Sequence, residues 1–125
     1  MNDYIFVGLG GAAGAMARVA FTRILPSFVL SIPFKILCIN VLGCFALGLL
    51  TGIMALCWSP SGNMRHFWVQ GFLGGFTTFS AFSLEFGLLY EKGLYGTAIT
   101  YAALSVILSI VFFLFGLKII RIFSY

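Results

Sequence analysis

The stretch Ile36–Trp58, ILCINVLGCFALGLLTGIMALCW, decides the fold. It carries no charge and is longer than the roughly 20 residues that cross a bilayer core. Gly93–Leu117, GLYGTAITYAALSVILSIVFFLFGL, has the same character. Phe67–Tyr90 is a third span, interrupted only by Glu85 near its end. Tyr4 to about Leu25 is a fourth: apolar up to Ala17, then carrying Arg18 and Arg23, whose long side chains can snorkel to the interface. The whole chain agrees with this reading. Its mean hydropathy is +1.13, and only 8% of its residues are charged, too few to cover the surface of a water-soluble domain. In lipid the backbone must satisfy its own hydrogen bonds, which leaves helices or a closed barrel. Unbroken apolar runs, rather than period-two alternation, select helices. The expected fold is all-α and integral to the membrane, with four transmembrane helices over about 4–25, 36–58, 67–90 and 93–117.

Short connections join these spans. Pro26–Lys35 contains two prolines, Ser59–His66 has turn composition, and Glu91-Lys92-Gly93 closes the third span;. No linker is long enough to divide the chain, so 1–125 reads as a single domain. No basic region precedes the first apolar run, which argues against a cleaved signal peptide. The three cysteines, Cys38, Cys44 and Cys57, all lie in the second span without metal-ligand spacing. They read as small buried residues.

Loop charge sets orientation in most membrane proteins. With four spans, Arg65, Lys118 and Arg121 fall on one side, and Arg18, Arg23, Lys35 and Lys92 on the other. Such balance fits either a chain oriented by another signal or copies inserted both ways. Gly10/Gly14, Gly48/Gly52 and Gly71/Gly75 are GxxxG pairs, the spacing that lets helices approach closely. They suggest a homo-oligomer, with packing inside one chain as the other use.

Polar groups within spans are the informative ones, because lipid does not solvate them. The third span holds the densest set, GFLGGFTTFSAFS over 71–83. Glycine and β-branched threonine both weaken a helix there. A break would free backbone carbonyls for a small cation; the other reading is a continuous helix with hydroxyls bonded back to its own carbonyls. Phe79 and Phe82 share a face; among fifteen phenylalanines the default reading is a lipid-facing or core stripe, and the other is that ring edges turned inward, which carry positive potential, favour a small anion. Thr97, Tyr101, Ser105 and Ser109, spaced by four, share a face of the last helix; and read as the lining of a polar path. Asn40, the amide of the second span, is either glue between helices or a donor on that path. No Ser/His/Asp set, paired carboxylates or nucleotide motif is present, so enzyme chemistry has no visible residues. The net charge of +4 suits anionic headgroups or anions better than nucleic acid.

Three motifs then stand together: Gly10-Gly-Ala-Ala-Gly-Ala-Met-Ala-Arg18, Asn40-Val-Leu-Gly43 and Gly71-Phe-Leu-Gly-Gly-Phe-Thr-Thr-Phe-Ser-Ala-Phe-Ser83. In content and order the chain resembles the Fluc/CrcB family of small bacterial fluoride channels. The resemblance implies an antiparallel, dual-topology homodimer in the bacterial inner membrane, with two pores that export fluoride passively and relieve its toxicity. It implies that Asn40, Phe79, Ser80, Phe82, Tyr101, Ser105 and Ser109 belong to the anion pore. Arg18 would sit at an aqueous vestibule. The backbone of Gly74 and Thr77 would hold a central structural sodium ion, Na+, at a break in the third helix. Ala81 stands where the family often has threonine, which removes one hydroxyl from the pore.

Two other classes are open to so small a protein. A proton-coupled four-helix exporter needs a membrane-embedded carboxylate; the first span has none, so Glu85 would have to serve. A non-conducting assembly subunit would tolerate Leu or Ile in place of Phe79 and Phe82.

Overall fold

The structure, a computed structural model, describes residues 2–123. Four helical stretches in it are long and apolar enough to cross a membrane. Helix α1 spans Asn2–Ile24. A two-residue hairpin follows, β1 (Phe28–Val29) and β2 (Ile32–Pro33), and then α2 spans Lys35–Leu56. The third stretch is composite: α3 (Gly62–Arg65), a π-helical segment (His66–Leu73), α4 (Gly74–Phe76) and α5 (Phe79–Glu91). Helix α6 spans Tyr95–Phe123.

The hairpin replaces the plain loop expected at Pro26–Lys35. Phe28 pairs with Pro33 and Val29 with Ile32, and the turn residues Leu30 and Ser31 have φ of 53° and 68°. Positive φ at both central positions gives a turn whose twist matches the strands, at a cost that L side chains rarely bear. The last helix begins at Tyr95 rather than Gly93. Gly93 has φ of +77°, and Leu94 N–H donates to Leu89 C=O, which closes α5 with a left-handed glycine cap.

The glycine pairs are used inside the chain. A Cβ on Gly10 would strike Phe67 C=O, and one on Gly14 would strike Phe72 C=O. Gly71 and Gly75 meet the α1 backbone from the opposite side. Helix α1 therefore lies against the first half of the third stretch with backbone on backbone. A second seam joins α2 to α6: a Cβ on Gly48 would strike Phe113 C=O, and one on Gly116 would lie 2.6 Å from Phe45 C=O. In lipid, where burying apolar surface gains little, such close packing holds helices together. These glycines thus carry intramolecular contact, the second of the two uses left open by the sequence.

Two small apolar clusters finish the interior. One joins Leu37, Leu89, Ala98 and Tyr101. The other joins Ile36, Ile39 and Phe76, with the edge of Phe21 against Phe76 at 5.6 Å between centroids.

Candidate functional site

The third stretch is interrupted at Thr77-Thr78. Helix α4 ends at Phe76, and Thr77 and Thr78 have extended backbones (φ −80°, ψ 156° and φ −154°, ψ 120°). Each threonine contributes a bond that stabilises the interruption. Thr77 Oγ1 donates to Leu73 C=O at 2.9 Å. Thr78 Oγ1 accepts from Ala81 N–H at 3.1 Å and so caps α5, as a threonine at that position should. Ser80 Oγ lies 3.1 Å from the same hydroxyl.

Asn40 fixes the break from α2. Its Nδ2 donates to Thr78 C=O at 3.0 Å, and its Oδ1 accepts from Thr78 N–H at 2.8 Å. One side chain thus bonds both backbone polar groups of Thr78 and replaces the acceptor its N–H loses at the break, a strict requirement away from water. Three residues on, Gly43 makes room for Thr77: a Cβ there would strike Thr77 Cγ2. The Asn40-Val-Leu-Gly43 spacing is therefore a socket for Thr77-Thr78. Of the two roles considered for Asn40, the amide is glue between helices, and it also lines the groove described next.

That groove, of about 280 Å³, is lined by Asn40, Cys44, Thr77, Thr78, Phe79, Phe82, Ser105 and Ser109, with Val106 and Ile110. The structure brings together five of the expected pore residues here: Asn40, Phe79, Phe82, Ser105 and Ser109. Phe79 and Phe82 stand 5.3 Å apart between centroids at 55°. Phe79 is 76% exposed on the open side. Ser105 is 6% exposed, and its Oγ has no hydrogen-bond partner among the described residues.

Tyr101 does not line this groove. It is wholly buried, leans on Phe82 at 5.3 Å and donates to Glu85 Oε2 at 2.7 Å. Glu85 in turn lines a smaller cavity of about 180 Å³ with Lys35 and Lys92. The series Phe79, Phe82, Tyr101, Glu85 therefore runs from the groove to that cavity. Ser80 and Arg18 lie elsewhere, in a separate groove with Thr22 and Thr78. Thr78 lines both grooves, so the helix break forms a wall between them. Thr97, one turn before Tyr101 in sequence, lines neither of them.

Residues 5–117 match the family model described as CrcB-like protein, Camphor Resistance (CrcB). The chain belongs to the CrcB/FluC family. Its relatives include the "Fluoride-specific ion channel FluC" of Rhodospirillum centenum, 41% identical over 97% of each chain. "Fluoride-specific ion channel FluC 2" of Nitrobacter hamburgensis is 42% identical over 95% of this chain and 97% of its own. A FluC of Desulforapulum autotrophicum is 44% identical over 73% of this chain and 74% of its own. This is a family of ion channels, not of enzymes, and the four apolar helices make the present member a multi-pass membrane protein.

Two residues that line the groove were not singled out by the sequence. Thr78 is the junction of the site, yet nothing local marks it above Thr77. Cys44 reads as a bland core residue until α6 is placed beside it. Its position four residues after Asn40 was the available signal.

Proposed function

We propose that the chain is a fluoride-selective passive channel of the bacterial cell membrane, which lets cytoplasmic fluoride out and so relieves its toxicity. The observation that carries this reading is the groove itself. It has ring edges and neutral donors but no fixed positive charge among its lining residues. Moving a bare ion into an apolar medium costs on the order of tens of kcal/mol. Phe79 and Phe82, the second Nδ2–H of Asn40, and the hydroxyls of Ser105 and Ser109 would replace hydration water in small steps, so that the ion enters and also leaves. For the ion to go on toward Glu85, Lys35 and Lys92, the buried Tyr101 ring that closes that end would have to move aside. Arg18 and Ser80 would serve a vestibule on the far side of Thr78. No proton-coupling group is required, because the ion runs down its own gradient.

The working unit in this reading is the whole chain, 1–125, as a single four-helix domain that pairs with a second, antiparallel copy to give two pores. Three features support a partner. Phe79 is largely uncovered although it lines the groove. The groove is open on that side, and the loop charges are nearly balanced.

The break also suits a structural sodium ion. In a continuous helix Thr78 N–H would serve Gly74 C=O, but it donates to Asn40 instead. Ala81 N–H would serve Thr77 C=O, but it donates to Thr78 Oγ1. The two carbonyls lose their ordinary donors, and carbonyl oxygens suit a hard cation. Na+ held there would neutralise them and tie the two copies at their breaks. Fluoride efflux from proteoliposomes, measured in sodium and in a large organic cation, tests both parts. Efflux in sodium that fails after sodium removal is the expected result. Full efflux without sodium would remove the ion from the account, and no efflux in either medium would remove the channel.

A further inference from the structure

One groove residue has no place in that set of donors. Cys44 lies one helical turn beyond Asn40 on α2 and lines the groove beside Thr77, Phe79, Ser105 and Ser109. Neither Cys38 nor Cys57 does so. A cysteine on a membrane helix is ordinarily a small core residue. Here an independent observation points to a guest. Ser105, which lines the same groove from α6, is 6% exposed, and its Oγ has no partner among the described residues. A buried hydroxyl in that state calls for a hydrogen-bonding occupant. The groove, at about 280 Å³, has room for several water-sized guests at roughly 30 Å³ each. An occupant that satisfies Ser105 stands among Cys44, Ser109 and the Phe79 ring.

We infer that Cys44 is a pore-lining residue, whose thiol joins Ser105 and Ser109 as a donor to the passing anion and is open to small thiol reagents from the groove. The inference rests on the channel reading and extends it. An S–H group is a weak donor and is uncharged in its thiol form. It adds a contact without adding a trap. The same position makes conduction sensitive to modification of one sulfur, a property that no other groove residue confers.

Methyl methanethiosulfonate is the probe. The Cys44 thiol loses its proton to buffer, its sulfur attacks the reagent's divalent sulfur, and methanesulfinate leaves. The product is a mixed disulfide bearing a methylthio group, which narrows the groove. In proteoliposomes, treatment should slow fluoride efflux of the unmodified sequence by at least about tenfold, and dithiothreitol should restore it. A variant with Cys38→Ala and Cys57→Ala should respond in the same way. Cys44→Ser should ignore the reagent, and Cys44→Val, which lacks any donor, should conduct more slowly than Cys44→Ser. Intact mass reports whether the sulfur has reacted. Cys44 carrying the methylthio group with efflux unchanged would overturn the inference, and so would a conducting protein in which Cys44 stays unlabelled. Absence of release before treatment would overturn the channel reading, and this inference with it.

Discussion

Helices α2 and α6 meet in two contrasting ways along one interface. At Gly48 and Gly116 their backbones touch, with no side chain between them. About one turn away on α2, Asn40 and Cys44 line one groove together with Ser105 and Ser109 of α6. Beyond that, Leu37, Ala98 and Tyr101 close the interior again. The same two helices are tight at a glycine, open at a mostly apolar groove that holds a few polar groups, and sealed by a ring at the far end. An open groove inside a thin bundle thus needs a rigid crossing on one side of it. The glycine seam provides that crossing, and the Asn40–Thr78 pair holds the facing wall.

The largest expected effect comes from the tight region. Gly48→Leu puts a side chain where Phe113 C=O already lies. Flexible neighbours can absorb an oversized side chain for about 1–3 kcal/mol, but backbone cannot yield in that way. We expect loss of the folded protein, seen as aggregation on size exclusion in detergent. A well-folded, conducting Gly48→Leu would break the contrast. Next is Asn40→Ala. It removes both partners of Thr78, and each unpaired buried backbone group costs about 1–3 kcal/mol. Thermal stability in detergent should fall sharply and efflux with it; unchanged melting would mean that Thr78 finds its own partners.

The groove residues should behave differently, with flux lost and stability kept. Phe79→Ile and Phe82→Ile each remove ring edges; a loss of about 0.5–1.5 kcal/mol would slow efflux by roughly two- to tenfold per ring, with less change in melting for the exposed Phe79 than for Phe82, which packs on Tyr101. Ser105→Ala separates the regions most sharply. Its Oγ has no partner to lose among the described residues, so stability should hold or rise by about 1 kcal/mol, while efflux falls several-fold. A stability loss would show that Ser105 holds the fold rather than the ion. The smallest effect belongs to Tyr101→Phe, which deletes the bond to Glu85. A typical bond contributes about 0.5–1.5 kcal/mol. Glu85→Gln should spare passive flux, because no proton is being carried; abolished flux would return weight to a coupled exporter.

Much of this contrast was legible in the sequence, and the rest was not for identifiable reasons. Hydropathy is additive over a window, so Ile36–Trp58 and Gly93–Leu117 declared themselves as spans. Gly74-Gly75 with Thr77-Thr78 signalled a weak helix, and the break lies there. What spacing could not reveal was the partner across the interior. Asn40 and Thr78 are far apart in sequence, and a lone amide in an apolar run has many candidate partners. The GxxxG pairs were visible, but their use within the chain depends on which helices meet. The π-helical segment His66–Leu73 left no trace, because its apolar spacing fits an α-helix as well. Tyr101 lies on the same helix as Ser105 and Ser109, yet its hydroxyl turns to Glu85.

The central claim is that the groove between α2, α6 and the helix break conducts fluoride without coupling. Its most direct test is efflux from liposomes holding the purified protein, followed with a fluoride electrode and a parallel chloride trace. Fast fluoride release with little chloride release, slowed in Phe79→Ile and Phe82→Ile, is the result the groove requires. Folded protein that releases no fluoride, or that releases chloride equally well, would contradict it.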